Sequence, residues 1–88
     1  MDYPFQQSEE QGYLYRTFSS NVDSHELVWH KDKKDREVLI IESNGWKFQM
    51  DNQIPVELKE GDVVFIPKDT YHRVIKGLDN LQVRIQEF

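Results

Sequence analysis

A chain of 88 residues with 38% hydrophobic side chains makes one domain with a modest core, too small to divide into two. With no cysteine, disulfides, thiolate metal sites and cysteine nucleophiles are excluded, and the composition fits a reducing cytoplasm. A net charge of -5 argues against nucleic acid as the main partner, and neither a secretory signal nor an apolar run of the ~20 residues a membrane helix needs is visible.

Strand signals dominate, and no long segment spaces its apolar residues as a capped helix would. Tyr13 and Tyr15 alternate with Leu14 and Arg16, which predicts a strand. Residues 1–12 before it are read as a flexible segment, frayed or laid over a neighbour, and residues 13–88 as one β-barrel domain. Leu27 and Trp29 share one parity, Val28 and His30 the other, so a second strand is expected there. The mixed-charge run from Lys31 to Arg36 reads as a solvated loop. Val38-Leu39-Ile40-Ile41 is an unbroken apolar run of the kind covered on both faces. Asn44-Gly45 is a hairpin-turn signal. Trp46, Phe48 and Met50 then alternate with Lys47, Gln49 and Asp51, a half-buried strand whose apolar residues read as core. Val56 and Leu58 make a short strand that ends at Lys59-Glu60-Gly61.

The next stretch is the most informative. Gly61 opens a turn, Val63–Ile66 is a short apolar strand, and Pro67 ends it because proline cannot donate to a ladder. A second turn forms around Lys68-Asp69-Thr70, and His72 appears as the next strand, His72–Ile75, begins. A turn at Gly77–Asn80 and a strand at Leu81–Ile85 complete the chain. Eight short strands at hairpin spacing, with no room for crossover helices, predict an all-β, antiparallel double-sheet jelly roll or closed barrel.

At this point the chain resembles the small single-domain cupins, over roughly Trp29 to Ile85. Gly61, Pro67 and His72 match the spacing of the second cupin motif, with Asp69 where the family usually has glycine. In the first motif His30 fits the first histidine, Asp32 stands where a second histidine is usual, and the glutamate position falls on Arg36 or, shifted by one, on Glu37. The two lie on opposite faces of a regular strand, so only one can face the interior. The resemblance implies a double-stranded β-helix fold, a homodimer that pairs through its sheets, often by exchanging an N-terminal strand, and a divalent-metal site.

Three functions follow as expectations. The first is a small-molecule binder with a degraded or weak metal site, its ligand held by His30, Arg36 and His72 with Trp29 and Tyr71 at the mouth. An inward Arg36 would make a cradle for a carboxylate, a phosphate or a sugar. The second is a metal-dependent enzyme of isomerase or dioxygenase type, with His30, Asp32, Glu37 and His72 holding zinc, nickel, iron or manganese. The third is a non-catalytic structural or interaction domain with a filled barrel.

Overall fold

The computed structural model describes residues 5–21 and 27–88. Its strands are β1 (Phe5–Glu10), β2 (Tyr13–Phe18), β3 (Arg36–Glu42), β4 (Lys47–Met50), β5 (Val56–Glu57), β6 (Val63–Ile66), β7 (His72–Ile75) and β8 (Leu81–Glu87). All pairings are antiparallel. One sheet has the order β1-β2-β8-β3-β6, the other β5-β4-β7. The expected all-β jelly-roll architecture is thus present. Among the described residues no helix is long and apolar enough to cross a membrane.

The core sits between the sheets and follows from alternation. β8 lies between β2 and β3, and its Leu81, Val83 and Ile85 are all at most 4% exposed. Across the ladder Val83 faces Ile40 on one side and Arg16 on the other, while Ile85 faces Val38 and Leu14. Phe48 from β4 and Leu58 close the core from the second sheet side. Trp46, 1% exposed, leads into β4. Its indole N–H lies against the Leu78 and Asp79 carbonyls at 3.2 and 3.3 Å, so this buried donor has its acceptors.

The structure departs from the sequence reading in three places. Val38 and Ile40 are buried while Ile41 is 39% exposed, so the apolar run is covered on one face. Its inner face also contains Arg36, in phase with Val38 and Ile40. Residues 27–30 are not a strand, and only His30 forms an isolated bridge, to His72. Finally, Phe5–Glu10, within the segment read as flexible, pair with β2 along their whole length; residues 1–4 lie outside the described residues. β1 also supplies Gln7, whose Oε1 accepts from Nε of Arg16, an arginine only 9% exposed. An edge strand of polar residues thereby satisfies a buried cation.

Two turns lock together at the far end. The Leu78 N–H donates to the Asn44 carbonyl at 2.7 Å, and Gly77 lies so close to the Asn44–Trp46 backbone that an added Cβ would overlap it. Since the obstacle is backbone, it cannot move aside cheaply. Gly77→Ala is therefore expected to destabilise by about 3 kcal/mol or more, read as a lowered melting temperature by circular dichroism.

Candidate metal centre

Two chain segments are stitched together where β6 gives way to β7. Beyond Pro67 the Lys68 N–H donates to Asp35 Oδ1 at 2.8 Å, and the Asp69 N–H donates to the Asp32 carbonyl at 2.8 Å. Asp69 has φ 59, the left-handed conformation that glycine would supply and that aspartate tolerates better than most residues. The turn therefore keeps its geometry without the usual glycine. His72 then pairs with Met50 of β4 on one side and with His30 on the other. The latter bridge has bonds of 3.0 and 2.9 Å, His30 N–H to the His72 carbonyl and the reverse.

That bridge puts both imidazoles on the interior face. Their ring centroids are 4.3 Å apart in an edge-on arrangement, and Phe48 packs on His72 at 5.7 Å. His72 is 3% exposed. Nδ1 of His30 lies 2.9 Å from the Val28 carbonyl, and Nδ1 of His72 lies 2.8 Å from the Thr70 carbonyl. A carbonyl only accepts, so each Nδ1 carries a proton and each neutral ring keeps its lone pair at Nε2. Such backbone contacts orient an imidazole for metal binding.

Asp32 completes the group. The ligand atoms of His30, Asp32 and His72 all lie within 4.8 Å of one another. Donors sharing one ion with bonds of about 2.1 Å sit up to about 4.2 Å apart when opposed, so the three side chains would have to close on an ion to hold it. Asp32 Oδ2 is 3.2 Å from His72 Nε2. Since Nδ1 already holds a proton, that contact is a hydrogen bond only if His72 is an imidazolium. With a neutral ring two lone-pair donors face each other, an arrangement that favours a cation.

Arg36 faces inward and Glu37 does not. The Arg36 guanidinium reaches Asp32 Oδ2 through Nη1 at 3.2 Å, and Glu87 Oε2 through Nη2 at 2.9 Å and Nε at 3.0 Å. Glu37, expected as an alternative ligand, is on the opposite face of β3 and outside the His30–Asp32–His72 group. Trp29 and Tyr71, expected at the pocket mouth, stand on the other side of the His30–His72 bridge. They are 42% and 47% exposed, with Arg73 over Trp29 and Lys31 over Tyr71. Glu87 and Arg16 were missed. Glu87 sits 51 positions from its partner, with no local signal. Arg16 shares parity with Leu14 and Phe18, which did point it inward.

The interior cavity has a volume of about 50 Å³ and is lined by His72, Arg36 and Arg16 among core side chains such as Phe48, Val38 and Ile40. A water needs roughly 10–15 Å³ by this measure, so the space suits a few waters or a very small group rather than a sugar.

Burial of the Asp32 carboxyl acts to raise its pKa, but the hydrogen bond from His72 and the charges of Arg36, His72 and His30 outweigh burial and hold it below the usual 3.8. A carboxylate with a depressed pKa stabilises the fold fully above its unfolded value and loses that contribution as pH falls through the folded value. In metal-free protein, Asp32→Asn should therefore melt lower than wild type in mildly acidic buffer, above pH 3.8, where a protonated His72 can donate to the carboxylate. The gap should shrink as pH drops below 3.8, and melting curves across an acid series would show it.

No family model matches the chain, and no curated protein matches its sequence. Its fold is nevertheless found among solved structures. A cupin domain from Bordetella pertussis is 15% identical with TM-score 0.66, the match covering 100% of this chain and 98% of that one. A cupin-2 domain protein from Shewanella frigidimarina is 18% identical with TM-score 0.65, covering 97% and 79%. The Fe(II) form of HppE in complex with substrate is 10% identical with TM-score 0.69, covering 100% of this chain and 55%, about half, of that one. The chain has the cupin fold.

Proposed function

We propose that this protein is a cupin-fold metal binder whose centre is His30 Nε2, His72 Nε2 and the Asp32 carboxylate, with open coordination positions for a small-molecule ligand. The observation that carries the reading is the convergence of two backbone-oriented imidazoles on one carboxylate within 4.8 Å. Two histidines and one carboxylate with open positions are the donor set of non-haem Fe(II) sites. Zinc also accepts three protein ligands plus an exchangeable one. The Fe(II)-containing HppE structure supports the reading at the level of fold.

Charge decides between this centre and an anion cradle. Of the two arginines lining the cavity, Arg36, the one beside Asp32, is already met by Glu87 through two nitrogens. Counting Asp32, Arg36 and Glu87 together leaves one net negative charge among them, with the two neutral imidazoles adding lone pairs. A cation is favoured there and a carboxylate or phosphate is not. The cavity is also too small for a sugar. If the protein is an enzyme, the bound metal would supply Lewis-acid or oxygen-activating chemistry at its open positions, while Arg36 and Glu87 hold Asp32 in place. The cysteine-free composition suits a reducing cytoplasm.

Calorimetric titration with zinc, nickel, manganese and, without oxygen, iron(II) tests this directly. One ion per chain is expected, bound more weakly in mildly acidic than in neutral buffer because protons compete for the imidazoles. His30→Ala, His72→Ala and Asp32→Ala should each weaken binding by roughly 100-fold or more, beyond what loss of an outer-sphere contact costs. Glu37→Gln should bind as wild type does. Absence of stoichiometric binding by any of the four ions at neutral pH would remove the proposal.

A further inference from the structure

The turn between β3 and β4 holds the one Asn-Gly pair of the chain, Asn44-Gly45. Gly45 has φ 75, a conformation glycine takes without strain. Asn44 is exposed, and its side-chain amide donates from Nδ2 to Asp79 Oδ2 at 3.3 Å. Its carbonyl accepts from the Leu78 N–H at 2.7 Å. Both bonds hold the turn of residues 77–80 against the hairpin. Trp46, two residues beyond Asn44, donates to the Leu78 and Asp79 carbonyls of the same turn. Asp79 has φ 57, so the lock also fixes a backbone conformation that few side chains adopt.

Asparagine is chemically labile, and a glycine after it leaves the following peptide nitrogen without the shielding of a side chain. At Gly45 that nitrogen is open. A Cβ added there would meet Gly77 Cα at 3.9 Å and nothing closer. Among the described residues the Gly45 N–H donates to no backbone carbonyl. The other asparagines, Asn21, Asn52 and Asn80, precede Val22, Gln53 and Leu81, whose side chains crowd the same approach.

We propose that Asn44 is a site of spontaneous deamidation, and that its product loosens the lock between the two turns. The Gly45 nitrogen, its proton lost to solvent base, attacks Cγ of Asn44 and closes a cyclic imide. Nδ2 leaves as ammonia. Water then opens the ring at either carbonyl. Opening at Cγ leaves aspartate, whereas opening at the main-chain carbonyl leaves isoaspartate, with the backbone rerouted through Cβ and Cγ. Either way a carboxylate replaces an amide donor. In aspartate that carboxylate faces Asp79, so a hydrogen bond becomes a repulsion between like charges. In isoaspartate the carbonyl that received the Leu78 N–H has left the backbone. The inserted CH2 also lengthens the hairpin beside Gly77, where even an added Cβ has no room. None of these residues belongs to the His30–Asp32–His72 group, and the reaction needs no metal.

Ageing the whole chain in warm, mildly alkaline buffer tests the site, with peptide mass mapping as the readout. The peptide holding Asn44 should gain the mass of OH in place of NH2, as an aspartate–isoaspartate pair, while Asn21, Asn52 and Asn80 stay amides. The modified fraction, separated by ion exchange, should melt several degrees below fresh protein. Asn44→Asp made directly should also melt lower, by less at high salt because both charges are exposed. The same substitution in an Asp79→Asn background should cost little, since the carboxylate again has a donor opposite it. Equal or faster change at another asparagine overturns the proposal, as does a modified fraction that melts like fresh protein. So does an Asn44→Asp penalty that Asp79→Asn leaves intact.

Discussion

The pair of hydrogen bonds joining His30 to His72 is short-range, backbone-only and reciprocal, and it decides the facing of every side chain around the centre. Antiparallel partners alternate in step, so once residues 30 and 72 face the interior, 29 and 73 must face out together, as must 31 and 71. The two cation–aromatic contacts, Arg73 over Trp29 and Lys31 over Tyr71, are the visible consequence. They are cross-strand neighbours on the outside of the bridge, and they brace it. The imidazoles inside are then aimed by carbonyls two residues earlier in each segment. An irregular segment with a single bridging residue thus fixes the facing of the His30 imidazole.

Electrostatics at the centre is a competition for one carboxylate. Asp32 Oδ2 faces Arg36 and His72, both at 3.2 Å, and a metal would be a third claimant. Arg36 does not need Asp32, because Glu87 supplies the closer contact at 2.9 Å. If a metal binds as proposed, it would compete with protons for the imidazoles, while the lowered pKa of Asp32 favours its ionised carboxylate. The arginine that stands where the family resemblance led one to expect a fourth ligand is neutralised from the end of β8 by Glu87 and braces the Asp32 carboxylate.

What could be read from the chain was what is local. Gly61, Pro67 and the turn at Asp69 announce themselves by backbone chemistry, and His72 follows from them by counting. The Arg36–Glu37 ambiguity was of another kind. Counting back from Val38 and Ile40 resolves it only if the sheet is covered on one face, and four apolar residues in a row concealed that fact. Trp29 was grouped with Leu27 by parity, which fails where the segment is not a regular strand. β1 was invisible because Gln6–Glu10 has no apolar alternation, being exposed throughout; its pairing partner, not its composition, makes it a strand. Glu87 was beyond reach because only the register of β8 against β3 brings it to Arg36.

The size of the chain constrains how such a centre can work. Among the described residues ten buried apolar side chains form the core, and His72, Arg16 and Arg36 take wall area that hydrocarbon would otherwise fill. Each of these polar groups is held by a contact elsewhere in the chain: Thr70 for His72, Gln7 for Arg16, Glu87 for Arg36. That leaves a cavity of about 50 Å³, so a ligand of any size cannot lie inside the sheets. On the proposed metal reading a ligand would reach the ion from the rim, where Asp32 and Glu87 are partly exposed. Its selectivity would then fall to the loop from residue 28 to 35 and the turn from 67 to 72. The two segments are bound to each other through Asp32, Asp35 and His30, so a change in either would shift His30 or Asp32 along with the rim.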